Sequence, residues 1–114
     1  MEIKTEDYTV RYDEATATVS CAGSLRLSGM EEYAPILHML NEAAEQQTDA
    51  LNLDLRNLEF LNSSGINVLS KFVINVRQRK SPQVNVQGSK KIPWQGKSLK
   101  NLQRLLPTLE LSLE

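Results

Sequence analysis

Between residues 51 and 76 the apolar period of the chain changes, and few folds accommodate that change. Leu51, Leu53 and Leu55 alternate with Asn52 and Asp54, the two-residue period of a strand with one buried face. Leu58, Phe60 and Leu61 carry the apolar run on to Asn62-Ser63-Ser64-Gly65. Ile66, Leu69, Phe72, Val73 and Val76 then recur at three and four, the spacing of one broad helical face. A strand therefore runs into a tight turn, and a helix begins at the serines. Arg77, Arg79 and Lys80 gather where cations complement the helix dipole, and Pro82 stops the helix.

The flanking segments extend the pattern. Tyr8 to Tyr12 and Ala17 to Cys21 alternate as two strands joined near Asp13-Glu14, so a hairpin opens the domain. Beyond Ser28-Gly29, the residues Tyr33, Ile36, Leu37, Leu40, Ala43 and Ala44 predict an amphipathic helix of about 16 to 20 residues. Pro35 lies close to its start, where a missing amide donor does least harm. Val84 and Val86 alternate with Asn85 and Gln87 until Gly88 breaks the strand. Leu99, Leu102, Leu105 and Leu106 predict a third helix halted by Pro107, and Leu109, Leu111 and Leu113 close the chain as a short strand.

The resulting order is strand, strand, helix, strand, helix, strand, helix, strand. Strand-helix-strand units imply mostly parallel pairing with right-handed crossovers, hence an α/β domain with a five-stranded sheet. Parallel strands buried on both faces read as continuous apolar runs, whereas these alternate. The helices are therefore expected mainly on one face, leaving Asn52, Asp54, Asn85, Gln87, Glu110 and Ser112 on the other.

At 114 residues, 40% hydrophobic and 24% charged, the chain has the size and balance of one folded domain spanning residues 1–114. No apolar run is long enough to span a bilayer, and the opening residues MEIKTEDYTV lack the pattern of a signal peptide, so a soluble, cytoplasmic protein is expected. Cys21 is the only cysteine, which rules out an internal disulfide and a thiolate metal cluster. Residues 1–57 hold 11 acidic and 4 basic side chains, a balance of −7, while residues 58–114 hold 3 and 9, a balance of +6. Folding is expected to bring these halves together into an ordinary mixed surface, the alternative being a single-sign patch that steers an oppositely charged partner.

Residues 51–69, LNLDLRNLEFLNSSGINVL, resemble the signature of the STAS family: an apolar strand ending in an acidic residue, a loop with an aromatic, Asp-Ser-Ser/Thr-Gly, then an apolar helix. Gly23-Ser24-Leu25 is similar to that family's G-x-L before its first helix, and the element order is the same. The resemblance is to the anti-sigma factor antagonists of the family. It implies a non-enzymatic, cytoplasmic regulator of transcription that works by partner switching. Its partners would be a serine kinase that is also an anti-sigma factor and a PP2C-type phosphatase. The implied phosphorylation site is Ser63, and the implied partner-binding residues are Asn62, Ser63, Ser64, Gly65, Ile66 and Val68; Trp94 joins them as a candidate contact on its residue type alone.

A serine at a helix N-terminus faces free amides and the positive dipole end, both of which accommodate a phosphate. Gly65, lacking a side chain, is expected to leave room for an approaching backbone. The sequence departs from the family at Asn62, where the usual residue is Asp; asparagine still caps a helix but removes a negative charge beside the acceptor hydroxyl. The alternative implied by other STAS domains is a scaffold subunit of a transporter or sensory complex, independent of phosphate.

The remaining signals point away from catalysis. No phosphate-binding glycine loop, dinucleotide motif, triad or paired catalytic carboxylates can be read, and no cofactor or metal is expected. His38 lies in an apolar stretch without ligand partners and reads as structural, and Cys21 reads as a small buried side chain. Glu31, Glu32, Glu42 and Glu45 read as solvated helix charges. In Lys90-Lys91-Ile92-Pro93-Trp94-Gln95-Gly96-Lys97, Trp94 is either an exposed contact or a side chain packed over the core edge. One aromatic among these lysines is a poor footprint for nucleic acid, so no direct nucleic-acid partner is expected.

Overall fold

Alternation in the sequence becomes a sheet of six strands: β1 (Glu2–Lys4), β2 (Tyr8–Asp13), β3 (Thr18–Leu25), β4 (Ala50–Leu61), β5 (Gln83–Gly88) and β6 (Glu110–Leu113). They lie side by side in chain order, antiparallel from β1 to β3 and parallel from β3 to β6. Three helices intervene, α1 (Gly29–Gln46), α2 (Ser63–Arg79) and α3 (Gln95–Leu105). The computed structural model describes residues 1–114. No helix is long and apolar enough to cross a membrane.

All three helices cover one face of the sheet. Leu51, Leu53 and Leu55 of β4 and Val84 and Val86 of β5 join Tyr33, Ile36, Phe72, Val73 and Leu99 of the helices in one continuous core. The opposite face is polar and half-exposed, as the alternation predicted; on it Asn85 donates to Asn52 at 3.2 Å.

The structure adds β1, a short edge strand pairing with β2 over Glu2↔Arg11 to Lys4↔Thr9, so the sheet has six strands rather than five and the expected hairpin, β2 with β3, is preceded by a further antiparallel strand. Three residues carry too little periodicity to be read as a strand. Pro35 falls in the second turn of α1 rather than at its start, but it is exposed, so the carbonyl left without a helical partner faces water. His38 is not a core residue: its side chain is 72% exposed and its Nε2 lies 2.9 Å from Glu42, one turn on. The expected mixing of charge also fails in the helical layer, where α1 is acidic while α2 and α3 are basic.

β4 is the element that positions the site. Its pairing with β3 steps from Ser20↔Asp54 to Ala22↔Asn57 and from Gly23↔Leu58 to Ser24↔Phe60, so β4 twice spends an extra residue. Each bulge turns two neighbours outward together, Arg56-Asn57 and then Glu59-Phe60, while Leu58 and Leu61 stay in the core. β5 accompanies β4 only as far as Asp54↔Gln87. Past that point α3 takes over: the fully buried Gln95 donates to the carbonyls of Leu55 (2.7 Å) and Leu58 (3.0 Å) and accepts from the Ser89 amide (2.7 Å). Side-chain amide groups thus replace the missing strand along this edge.

Candidate functional site

The strand-to-helix junction is organised by one carboxamide. Asn62 is extended (φ −77°, ψ 175°) and caps α2, its Oδ1 accepting from the Gly65 amide at 3.0 Å. The same oxygen accepts from the Tyr33 hydroxyl of α1 at 2.6 Å, and the Asn62 Nδ2 donates to the Leu27 carbonyl at 2.8 Å. Backbone bonds from Asn62 N to Leu25 O (3.2 Å) and from Ile66 N to Asn62 O (3.0 Å) complete the joint. The end of β3, the start of α1 and the start of α2 therefore meet at Asn62. Its carboxamide uses both a donor and an acceptor, and a carboxylate would lack the donor.

Within this frame the sequence-derived residues divide. Ser63 is exposed at the first position of α2, and Ser64 and Ile66 are half-buried. Gly65 and Val68 are buried, so neither offers a side-chain surface to a partner. Gly65 does not serve to admit a partner backbone: a Cβ there would collide with the Leu61 side chain and lie 2.8 Å from the Tyr33 hydroxyl. The absence of a side chain lets α2 close onto β4 and α1. Trp94 is half-buried at the core edge, with its indole N–H donated to the Leu58 carbonyl at 3.1 Å.

The elements that meet at Asn62 also carry exposed apolar residues that sequence reasoning did not assign to the site. Phe60, 39% exposed, is turned outward by the second bulge, and the Arg26 guanidinium sits 4.6 Å from its ring centroid. Met30, at the start of α1, is 40% exposed. The signal for Phe60 was the widening of apolar spacing from two to three at Leu55, Leu58 and Leu61, which is what two bulges produce.

No group of three or more His, Cys, Asp or Glu side chains is placed to hold a metal ion. The crevice beneath the junction, walled by Cys21, Leu25, Tyr33 and Leu58 among others, is almost wholly apolar. Burial, and secondarily the charge of Asp54, pushes the Cys21 thiol up to about 12, so it is neutral and unreactive at physiological pH. Burial likewise raises the Tyr33 hydroxyl, keeping it protonated as the donor to Asn62.

No family model matches the sequence, and no curated protein matches it. Among solved structures the chain is similar to one chain in the crystal structure of the diguanylate cyclase SiaD in complex with its activator SiaC from Pseudomonas aeruginosa, with a TM-score of 0.73 and 15% identity over 100% of this chain and 99% of the matched one. SiaC of Pseudomonas aeruginosa by itself gives a TM-score of 0.73 at 14% identity, covering 100% and 98%. Its apo form gives the same score at 13% identity and the same coverage. The likeness over the whole of both chains is one of fold: a single α/β domain with three helices and a mostly parallel six-stranded sheet.

Proposed function

We propose that this chain is a protein-binding regulator that docks its partner at the junction of β4 and α2 and is switched by phosphorylation of Ser63. The observation that carries the reading is the exposed Ser63 hydroxyl on the first turn of a helix whose cap is fixed from two other elements. Phosphate there meets the positive end of α2, so the domain stays folded, while about −1.5 to −2 charges appear on the contact surface. Affinity changes without unfolding.

The resemblance to anti-sigma factor antagonists supports a serine kinase or anti-sigma factor as partner, with a PP2C-type phosphatase resetting the switch. The fold likeness to SiaC, which activates a diguanylate cyclase, supports a second partner class, an effector enzyme. Both are regulators acting through a protein contact, and both readings use the same surface: Ser63, Ile66, Phe60 and the Arg26 side chain over it.

Incubation of the folded protein with its cognate kinase and ATP, followed by mass-spectrometric mapping, tests the switch. Phosphate on Ser63, with partner affinity lowered in Ser63→Glu and kept in Ser63→Ala, is the expected result. An unmodified Ser63 together with equal affinity for both variants would rule out phosphate control and leave a constitutive scaffold subunit of a transporter or sensory complex.

A further inference from the structure

From Phe60 to Leu109 the chain contains no aspartate or glutamate, yet it contains nine lysines and arginines. That stretch includes all of α2 and α3. On α2, Lys71 and Arg77 are exposed; on α3, Lys97, Lys100 and Arg104 recur at three and four and form one exposed stripe. α1 has the opposite character, with Glu31, Glu32, Glu42 and Glu45 and no lysine or arginine. Since α2 packs against both other helices, the acidic and basic helices are neighbours, but a single ion pair crosses between them, Arg79 to Glu45 at 3.8 Å. The other cations of α2 and α3 reach no carboxylate. Ile74, 38% exposed, stands on the outer side of α2 one turn from both Lys71 and Arg77.

We propose that the outer face of α2 and α3 docks an acidic amphipathic helix of a protein partner, its carboxylates over Lys71, Lys97, Lys100 and Arg104 and an apolar side chain on Ile74. The inference rests on the reading that a partner docks along α2 from Ser63, and it supplies that partner's chemistry. Two adjacent helices leave a groove suited to a third, and an unpaired single-sign surface attracts its complement and repels partners of like charge. Nucleic acid fits less well because neither helix exposes an aromatic to stack a base: Phe72 is buried and α3 has none. A membrane surface fits less well because Ile74 is the one strongly exposed large apolar side chain on the two helices. Ser63 lies at the N-terminal end of this face, so a phosphate there lowers its attraction for carboxylates and gives the switch its direction.

The test uses the full chain, labelled with 15N, and three probes: a synthetic amphipathic helical peptide with a leucine stripe flanked by glutamates, a DNA duplex, and phosphatidylserine vesicles. The glutamate peptide is expected to shift the amides of Lys71, Ile74, Lys97 and Lys100 and to bind less tightly as salt rises. Lys97→Glu/Lys100→Glu/Arg104→Glu should weaken it by about tenfold or more. The same positions changed to glutamine should give an intermediate loss and serve where charge reversal perturbs folding. Equal binding of a peptide with glutamine for glutamate, shifts confined to other faces, or preference for the duplex or the vesicles would overturn the proposal. If Ser63 takes no phosphate while the peptide still maps to α2 and α3, the switch fails and the docking surface stands. If the charge-reversed chain keeps its affinity while Ser63 is phosphorylated, the reverse holds.

Discussion

Replacing Asn62 by aspartate would keep two of its side-chain hydrogen bonds and break the third. The Tyr33 hydroxyl and the Gly65 amide both donate to Oδ1 and would find a carboxylate oxygen equally well, and the helix dipole would favour the charge by about 0.3–1 kcal/mol. The Leu27 carbonyl, however, would lose its donor and face a carboxylate, at a cost of about 1–3 kcal/mol. Asn62→Asp is therefore expected to destabilise the fold at neutral pH. The deficit should shrink as pH falls through the new carboxyl's pKa, because the protonated form can again donate to Leu27. Urea unfolding of both proteins across an acid-to-neutral series checks the sign. The cap itself was legible from Asn-Ser-Ser-Gly between a strand and a helix. Its other partners were not, since Tyr33 and Leu27 lie 29 and 35 residues away and their approach is a product of tertiary packing.

At the scale of elements, β4 outruns β5, and Gln95 completes the edge that this leaves bare. Gln95→Leu keeps the volume but leaves the buried Leu55 carbonyl and Ser89 amide without partners, while the Leu58 carbonyl retains the Trp94 indole. A loss of about 1–3 kcal/mol in unfolding free energy is expected, with the Ser89 amide becoming markedly faster in hydrogen exchange. Gly88 belongs to the same arrangement, since a Cβ there would stand 2.7 Å from the Gln95 Oε1. Beyond β1, strand and helix order were readable because each element keeps one apolar period, β4 as far as Leu55. Nothing in the sequence marks Gln95 for burial, which follows only from how far β5 extends.

Over the whole molecule, the one-sided sheet leaves a polar face that must hold itself together without a covering layer. Arg56 does this in part, donating from Nε (3.0 Å) and Nη2 (2.9 Å) to the two oxygens of Asp54 and lying 3.5 Å from Glu114 beyond β6. Those hydrogen bonds hold the Asp54 carboxyl below its ordinary range against the opposing effect of its partial burial. A folded-state pKa below the unfolded one contributes stability above the ordinary carboxylate range and loses it as pH falls through the folded value. The melting temperatures of wild type and Arg56→Ala should thus differ at neutral pH and converge in acid. The one-faced sheet was legible because LNLDL, VNVQ and LELSLE alternate. The segregation of charge was present in the sequence as counts, but only the adjacency of α2 and α3 turned those counts into a face.

The closed first turn of α2 has a consequence for any enzyme that modifies it. Ile66 N is bonded to Asn62 O and Gly65 N to the Asn62 side chain, so the main chain on either side of Ser63 is already committed in the folded domain. Such an enzyme meets a preformed three-dimensional epitope with Tyr33 behind it, not an extended substrate threaded through a cleft. A short peptide copied from this region would lack the residues that fix the turn and should be a poor phosphoryl acceptor. If Ser63 is the acceptor, the specificity determinants would be scattered over sequence-distant segments, and no linear consensus would find them.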